Sequence, residues 1–564
     1  MILILLIWGF IFLLTGGLGF VAAKLLYTSF GIKEKPTSMV LVLLGFVFIL
    51  TLAQFYSFYL PLNLSFIVFL SLGSLLVWIK KFKAISRILF APFKQLWALS
   101  LPIKLIFVLG FFLALSMSAS PGELIDEGGY YLPFIRWLEN YPLMPGLANI
   151  EDRLGFNSTF HLLSAIFGFT FIFEGGLYDL TGFLCVLLLL QFSVGYERLL
   201  TGNFDYLAAD LIKVVFLIFP FRAKLTVADA DYAHLFLGLF LLTLWIEKTV
   251  EQSFRKLDGK ALLIIVLSIW LITIKFLAIF YFLFPVLLLF LAGRQKNWKP
   301  IVGAILLGGI FIVPWVVRNY ILSGYWIYPL TFLSFPAPDW QVPWEIARGQ
   351  YTYVSEHATF GISRNYRQFV IREIHINEWW PYWLAEVKVQ ARYWIFLLGV
   401  PLTIPMWIYL ILKRKKWDWD TQFGYFSLGI ISTLFLLFWF FRYPDIRFGW
   451  AWIIGFVAVP WSIWMGKILT FKRSKIGRLV IIFLTMVLFR HLVHPSQGWK
   501  QYLTPASVNK AENFQTIRLD EVPVKVVADY YCWGLFPPCL PVNYNPLLQL
   551  RGDRLEEGFH IKKE

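Results

Sequence analysis

The chain has 564 residues, of which 59% are hydrophobic and only 15% are charged. Soluble domains contain about 45–50% apolar and about 25% charged residues, so this composition excludes an ordinary soluble protein. The net charge of +16 does not indicate a nucleic-acid partner, because many lysines and arginines lie in short segments between apolar stretches, such as 80–83 and 413–416. Basic segments of this kind are typical of the cytoplasmic loops of membrane proteins.

Apolar stretches recur along the whole sequence. Many have about 20 residues, the length of helix that crosses a bilayer core about 30 Å thick. The sequence therefore predicts an all-α fold, a polytopic bundle of about fourteen transmembrane helices. Met1–Ala23 has no basic segment before it and no clear cleavage site, so we interpret it as a retained helix. In chain order the predicted helices are 2–23, 38–57, 62–79, 101–119, 178–197, 205–221, 232–249, 261–275, 277–293, 301–320, 393–412, 423–441, 447–466 and 477–493.

The segment Ser158–Phe173 is apolar but short, so it either crosses the membrane or is re-entrant or interfacial. The charge distribution favours the non-spanning interpretation, because the loops rich in lysine and arginine then all lie on one side. We accordingly expect a multi-pass protein of the bacterial inner membrane, with both termini and the active face on the periplasmic side. The basic loops are 24–37, 80–100, 250–260, 294–300, 413–422 and 467–476.

The predicted helices divide the chain into three parts. Residues 1–100 supply three additional helices, 101–493 form the core, and 494–564 form a small periplasmic tail. Two long loops of the core, 120–177 and 321–392, lie on the predicted outer side, and their aromatic residues favour amphipathic helices at the membrane surface.

Two cysteines lie in the tail. The spacing of Cys532 and Cys539 in "YCWGLFPPCLP" predicts a disulfide in the oxidising periplasm, with two free thiols as the alternative.

Polar residues gather on the predicted outer face. Asp126 and Glu127 follow the helix 101–119 closely, at the start of the first long loop. Each further residue has a structural alternative: Asp231 could cap a helix, and Arg318 could reach lipid headgroups from a helix end. Their occurrence on one face nevertheless indicates a site, because ionisable groups near the membrane are costly. The candidate substrate-binding residues are Arg153, Asn157, His161, Asp231, His234, Arg318, Tyr325, Arg442 and Arg447.

This set of side chains suits the transfer of a sugar from a lipid-linked phosphate. Arginine binds phosphate through two parallel hydrogen bonds, and nearby cations stabilise a lipid phosphate as it leaves. A carboxylate takes the proton of the acceptor hydroxyl, and Asp126 is the candidate base. Glu127 would orient Asp126, or both would hold a divalent cation, Mg or Mn, together with Asp231. Motifs of common soluble enzymes, such as Gly-x-Ser-x-Gly or the phosphate loop, are absent from the sequence.

The acidic pair directly after a helix in the first outer loop resembles the GT-C superfamily of polyprenyl-phosphate-sugar-dependent glycosyltransferases. The resemblance covers the chain from residue 101 onward. "RNYILSGYWIYP", "DIRFG" and "CWGLFPPC" are also similar to an uncharacterised family of large bacterial membrane proteins. The superfamily implies a catalytic carboxylate at Asp126, a second acidic position at Asp229 or Asp231, a polyprenyl-phosphate-sugar donor, and a glycan, lipid or peptide acceptor. The short tail departs from the larger soluble C-terminal domain of many members.

Two other functions fit parts of the pattern. A polysaccharide polymerase or ligase of the O-antigen type also has about a dozen helices, a large outer loop and essential arginines, but needs no acidic pair. A transporter or flippase for lipid-linked sugars would show two related halves with discontinuous helices. The break near Lys275 is the only sign of the latter.

Overall fold

The protein is a multi-pass membrane protein built as a helical bundle. In the computed structural model, the described residues are 1–120, 126–173, 175–217, 225–360, 375–413, 417–468, 475, 477–480, 482–483, 485–487, 513–520, 522–528 and 531–562. Among them, eleven helices are long and apolar enough to cross a membrane: Ile2–Phe30, Ser38–Tyr56, Leu64–Ala98, Leu101–Ala119, Leu180–Thr201, Ala230–Val250, Phe276–Arg294, Lys299–Ser323, Ile395–Lys413, Trp419–Arg442 and Ile446–Gly466. The predicted all-α fold class is confirmed.

Capping residues in the sequence determine where several helices begin. Short polar side chains accept hydrogen bonds from the first free backbone N–H groups, which have no partner inside the helix. Such caps occur at Thr37, Asn63, Asp229, Asp258 and Asp418.

Small residues allow the first two helices to pack closely. A Cβ atom added at Gly19 would lie 1.8 Å from the carbonyl oxygen of Leu41, and one added at Gly45 would lie 2.1 Å from that of Thr15. The backbones of Ile2–Phe30 and Ser38–Tyr56 are therefore in direct contact, as in other tightly packed membrane helices.

Two of the predicted helices, at 205–221 and 261–275, are short within the described residues, which leave out 218–221. Leu207–Phe216 has 10 residues and Gly259–Ile274 has 16. At 1.5 Å per residue, sixteen residues cover about 24 Å, less than a bilayer core of about 30 Å. After Lys275 the chain turns back through the 3-10 helix Phe276–Phe282 into Leu283–Arg294. Of the helix predicted at 477–493, Gly477–Val487 is an apolar helix and 488–493 lies outside the described residues.

The first long loop folds into short helical pieces. They are the π-helical turn Glu127–Tyr131, the helices Leu132–Asn140 and Thr159–Ile166, and the 3-10 turns Leu147–Asn149 and Asp152–Phe156. Thr159–Ile166 covers only about 12 Å, so the segment 158–173 does not contain a helix long enough to cross the bilayer.

The second long loop contains two helices, Trp344–Phe360 and Ile376–Val387, and residues 361–374 between them lie outside the described residues. Ile376–Val387 packs Trp379 and Trp383 inward, whereas Tyr382 is exposed. This division matches the amphipathic character predicted for the loop.

The described part of the tail contains five short strands, β1 (Phe514–Leu519), β2 (Val522–Val527), β3 (Cys539–Leu540), β4 (Leu548–Leu550) and β5 (Phe559–Ile561). β1 pairs antiparallel with β2, β2 parallel with β3, and β4 antiparallel with β5. Cys532 and Cys539 form a disulfide. The backbone N–H of Phe559 donates to the carbonyl of Pro145 at 3.0 Å, so the tail lies against the first long loop.

Candidate functional site

Charged side chains from four separate parts of the chain meet at one end of the bundle. Nη1 of Arg153 lies 3.7 Å from Oδ1 of Asp126. Nη1 of Arg447 lies 3.8 Å from Oδ2 of Asp126 and 4.0 Å from Oδ2 of Asp231. Lys275 forms an ion pair with Asp231. We call these five residues, Asp126, Arg153, Asp231, Lys275 and Arg447, the Asp126 cluster.

Helix ends place three members of the cluster. Asp231 lies in the first turn of Ala230–Val250, where the side chain of Asp229 caps the helix by accepting the N–H of Asp231 at 2.7 Å. Lys275 directly follows the neighbouring helix Gly259–Ile274 as its C-cap, and its Nζ also lies 3.9 Å from the centre of the Phe448 ring. Arg447 lies in the first turn of Ile446–Ile468.

Aromatic side chains hold the turn that precedes Arg447. Trp383 donates its indole N–H to the carbonyl of Pro444 at 2.9 Å, and Trp439 donates to the carbonyl of Asp445 at 2.7 Å. The N–H of Ile446 donates to the hydroxyl of Tyr393 at 3.3 Å. The second long loop and the membrane helices therefore both fix this turn.

Asp126 and Glu127 have different surroundings. The side chain of Asp126 is 39% exposed, whereas Glu127 is 1% exposed. Because almost none of its surface is exposed, Glu127 lies on the inner side of the turn. The two adjacent carboxylates consequently do not face the same space.

Arg153 approaches Asp126 over a glycine. A Cβ atom added at Gly129 would lie 3.0 Å from Nη2 of Arg153, so a larger residue would push the guanidinium away. Nε of Arg153 donates to Glu151 at 2.6 Å, and the guanidinium lies 5.1 Å from the centre of the Tyr130 ring. These contacts orient the Nη groups towards Asp126.

Asn157 and Arg318, both predicted to bind substrate, form a buried structural contact. Nε of Arg318 donates to Oδ1 of Asn157 at 3.1 Å, and Nη1 donates to the hydroxyl of Ser57. The side-chain amide of Asn157 donates to the backbone carbonyl of Trp315 at 3.0 Å. The indole N–H of Trp315 donates in return to the backbone carbonyl of Asn157, also at 3.0 Å. The pair ties the first long loop to Lys299–Ser323.

The two predicted histidines are buried. His161 packs against Tyr130, Tyr131 and Phe134, and burial lowers its pKa to about 3, so the ring is neutral. His234 lies one turn after Asp231 in the same helix and is 3% exposed.

Tyr325 and Arg442 have local roles. The hydroxyl of Tyr325 donates to the carbonyl of Val342 at 3.0 Å inside the second long loop. Arg442 ends the helix Trp419–Arg442 with an exposed side chain, and its carbonyl accepts a hydrogen bond from Ser355. Neither residue makes a described contact with the Asp126 cluster.

The acidic residues do not form an evident metal site. In the part of the chain that the structure describes, no three histidine, cysteine, aspartate or glutamate side chains are grouped so that they could hold a metal ion. Asp231 is paired with Lys275, and Glu127 is turned inward. In this arrangement, Asp126, Glu127 and Asp231 therefore do not fit a shared divalent cation.

Sequence reasoning missed Lys275 as a member of the cluster. Lys275 interrupts the apolar run "ITIKFLAIF". A lone lysine between two spans indicates a functional residue, and this was the signal that could have identified it. Asp445 lies in the motif "DIRFG" but was not a predicted site residue. Its carboxylate orients Arg447 by accepting a hydrogen bond from Nε at 2.9 Å.

A second ionic network lies at the opposite end of the bundle. Lys213 lies 3.0 Å from Asp210 and 2.8 Å from Glu247, and Lys260 lies 3.0 Å from Glu247. Arg198 bonds the buried carboxylate of Asp210 through two nitrogens. These charges join the ends of four helices, and Lys260 also pairs with the more exposed Glu251.

The fold and the cluster define a polytopic membrane protein with a charged site at one end of its bundle. The sequence profile of DUF8201, a domain of unknown function, matches residues 1–454, and the chain belongs to this family. The matched region contains the whole Asp126 cluster. No curated protein and no solved structure matches the chain.

Proposed function

We propose that the protein is a membrane glycosyltransferase that transfers a sugar from a polyprenyl-phosphate-linked donor to an acceptor hydroxyl. The observation that carries the proposal is the geometry around Asp126, a partly exposed carboxylate with the guanidinium groups of Arg153 and Arg447 at 3.7 and 3.8 Å. A base and two phosphate-binding groups are thus close enough to act on one donor.

Both arginines keep hydrogen-bonding capacity for a ligand. Each is oriented through Nε, Arg153 by Glu151 at 2.6 Å and Arg447 by Asp445 at 2.9 Å. The Nη contacts with Asp126 are longer than a charge-assisted hydrogen bond of about 2.8 Å. A phosphate oxygen can therefore accept from the Nη groups without displacing the groups that orient the arginines.

The reaction assigned to this site is a substitution at the anomeric carbon. Asp126 accepts the proton of the acceptor hydroxyl while the hydroxyl oxygen forms a bond to the anomeric carbon. The bond from the carbon to the phosphate oxygen breaks, and the electron pair leaves with the polyprenyl phosphate. Arg153, Arg447 and Lys275 stabilise the negative charge that develops on the phosphate.

The depth of the site suits a lipid donor. Lys275 ends a helix that covers about 24 Å, so it lies near the boundary of an apolar core of about 30 Å. The phosphate of a polyprenyl lipid is held at that boundary while its hydrocarbon chain stays in the bilayer. The basic loops 24–37 and 250–260 are joined by the Lys256–Glu34 ion pair at the other end of the helix that precedes Lys275. Their position supports a periplasmic site in the bacterial inner membrane.

The test is transfer by purified protein in liposomes that contain a polyprenyl-phosphate sugar. Release of polyprenyl phosphate is measured for the wild type, Asp126→Asn and Asp205→Asn, the last altering an exposed carboxylate at the opposite end. Loss of a general base predicts a rate about 10²–10⁴-fold lower for Asp126→Asn, with Asp205→Asn unchanged. A wild-type rate in Asp126→Asn would remove Asp126 from the reaction.

A further inference from the structure

The disulfide loop of the tail, residues 532–539, lies directly on the turn that carries Asp126. The backbone N–H of Trp533 donates to the carbonyl of Gly128 at 3.1 Å. The indole ring covers the same glycine, since a Cβ atom added at Gly128 would lie 2.4 Å from Cδ2 of Trp533. Gly128 lies two residues after Asp126 in the π-helical turn Glu127–Tyr131. The tail therefore contacts the backbone that directs the Asp126 side chain.

The two glycines of the turn receive different partners. Gly128 lies under the indole of Trp533, and Gly129 lies under the guanidinium of Arg153, 3.0 Å from the position of a Cβ atom. The turn is packed between the tail and a member of the Asp126 cluster. A side chain at either position would displace one of them, which explains why two consecutive glycines follow Glu127.

Trp533 adopts an uncommon backbone conformation to make this contact. Its φ angle is 47°, in the left-handed region that bulky side chains rarely occupy. Such conformations persist only where the surroundings enforce them, and they are enriched at functional sites. Here the Cys532–Cys539 disulfide closes the loop, and the ring of Phe536 lies 4.8 Å from the guanidinium carbon of Arg136.

We propose that Trp533, presented by the disulfide loop, is a positioning residue that fixes the Asp126 turn for sugar transfer. The catalytic part of this inference rests on the proposed function. The positional part does not, because it concerns the order of residues 126–131 in the protein without substrate. A purely structural tail would anchor the fold without setting the order of this turn.

The tail offers a matched control at a different contact. Arg551 binds Asp339 with Nε at 2.7 Å and lies 4.5 Å from the centre of the Trp340 ring, so it anchors the same tail to the second long loop. Arg551→Ala removes a tail contact of similar kind without touching Gly128. Trp533→Phe keeps a ring over the glycine, whereas Trp533→Ala removes it.

Hydrogen exchange of the full-length protein in detergent, read in peptides covering 126–131, tests the positional part without any substrate. We expect exchange at least about tenfold faster in Trp533→Ala, and near wild type in Trp533→Phe and Arg551→Ala. Unchanged exchange in Trp533→Ala, or an equal rise in Arg551→Ala, would overturn the proposal.

A double-mutant cycle tests the contact from its other side. Gly128→Ala forces its Cβ against the indole and is expected to loosen the turn as Trp533→Ala does. When the indole is absent, the extra methyl has room, so the double variant should exchange like Trp533→Ala alone. Additive effects of the two changes would contradict a shared contact.

Transfer kinetics test the catalytic part. Misplacing a base affects the chemical step, so Trp533→Ala should lower kcat about tenfold or more with the donor KM within about twofold. Trp533→Phe should restore most of kcat. An unchanged kcat in a protein whose turn exchanges faster would overturn the catalytic part. Absence of transfer by the wild type would instead refute the proposed function and leave the exchange result to be judged by itself.

Discussion

Arg447 and Asp126 face each other at the centre of the cluster, with Nη1 of the arginine 3.8 Å from Oδ2 of the aspartate. Asp126 lies near the start of the first long loop, whereas Arg447 lies in the first turn of Ile446–Ile468. Their separation exceeds the length of a direct hydrogen bond, so both groups can bond a third partner between them. Formation of the site thus requires distant parts of the chain to be correctly placed.

Replacing Arg447 is expected to weaken donor binding. Arg447→Ala removes a guanidinium whose hydrogen bonds to phosphate are worth about 1.5–3 kcal/mol, which corresponds to about 10–150-fold in the donor KM. Arg447→Lys keeps the charge but not the planar pair of donors, so its KM should lie between the wild type and Arg447→Ala. Steady-state kinetics with varied donor concentration give this order. An unchanged KM in Arg447→Ala would show that this arginine does not bind the donor.

The Lys275–Asp231 ion pair is expected to stabilise the folded protein through mutual compensation. Removing one partner of a partly buried pair leaves the other charge uncompensated, so Lys275→Met and Asp231→Asn should each lower the melting temperature. The double variant should recover much of this loss, because no isolated charge remains. Melting of the detergent-solubilised protein measures the effect, and additive losses would contradict the pairing.

The exposed ion pair between Lys256 and Glu34 is the control for these changes. Surface pairs contribute about 0–1 kcal/mol, so Lys256→Met should leave the melting temperature close to that of the wild type. A large shift in this control would mean that any lost lysine charge destabilises the protein.

Asp229 is expected to give the folded protein a pH dependence. Burial, followed by the charge of Asp231, raises its pKa to about 7, compared with about 3.9 in an unfolded chain. The folded state binds this proton more tightly, so the Asp229 contribution to the free energy of unfolding falls as pH rises from about 4 to about 7. Asp229→Asn stays neutral and can still accept the N–H of Asp231.

The melting temperature of Asp229→Asn relative to the wild type should therefore rise between about pH 4 and about pH 7. The sign follows because only the wild type must ionise a buried carboxyl in this range. A difference that stays constant with pH would show that Asp229 does not titrate there.

Asn157 is expected to affect folding and not substrate binding. Asn157→Ala removes the hydrogen bond to the buried guanidinium of Arg318 and places alanine at a φ of 49°. Leaving a buried charged donor without this partner costs about 1–3 kcal/mol, so the melting temperature and the folded yield should fall. The donor KM of the protein that folds should match the wild type. Asn297→Ala, an exposed change, is the control, and a KM effect confined to Asn157→Ala would restore the predicted binding role.

Much of the architecture could be predicted because the signals are local. An apolar run of about 20 residues specifies a spanning helix by its own length and composition. Alternation of such helices then brings the ends at Asp126, Asp231 and Arg447 to one side of the membrane. The structure places these three side chains together with Arg153, which sequence reasoning had assigned to the same face.

Other features depend on packing that a sequence does not display. The adjacent residues Asp126 and Glu127 face different surroundings because they lie at the start of the π-helical turn Glu127–Tyr131, which directs their side chains apart. Arg318 was predicted to bind substrate from its position at a helix end, but neighbouring segments bury it completely. The strands of the tail had a readable signal, since "VPVKVV" is rich in β-branched residues. The positive φ of Trp533 had no signal in the sequence, because tertiary contacts impose it.

The profile of lipid-linked sugars in a deletion strain tests directly whether Asp126 acts in sugar transfer from a lipid-linked donor. We expect the strain to accumulate the polyprenyl-phosphate sugar and to lack the sugar on the acceptor. The wild-type gene should restore the profile, whereas Asp126→Asn should not, although it reaches the membrane in normal amounts. Accumulation of single repeat units would indicate a polymerase instead. A normal profile in cells that contain only Asp126→Asn would contradict the claim.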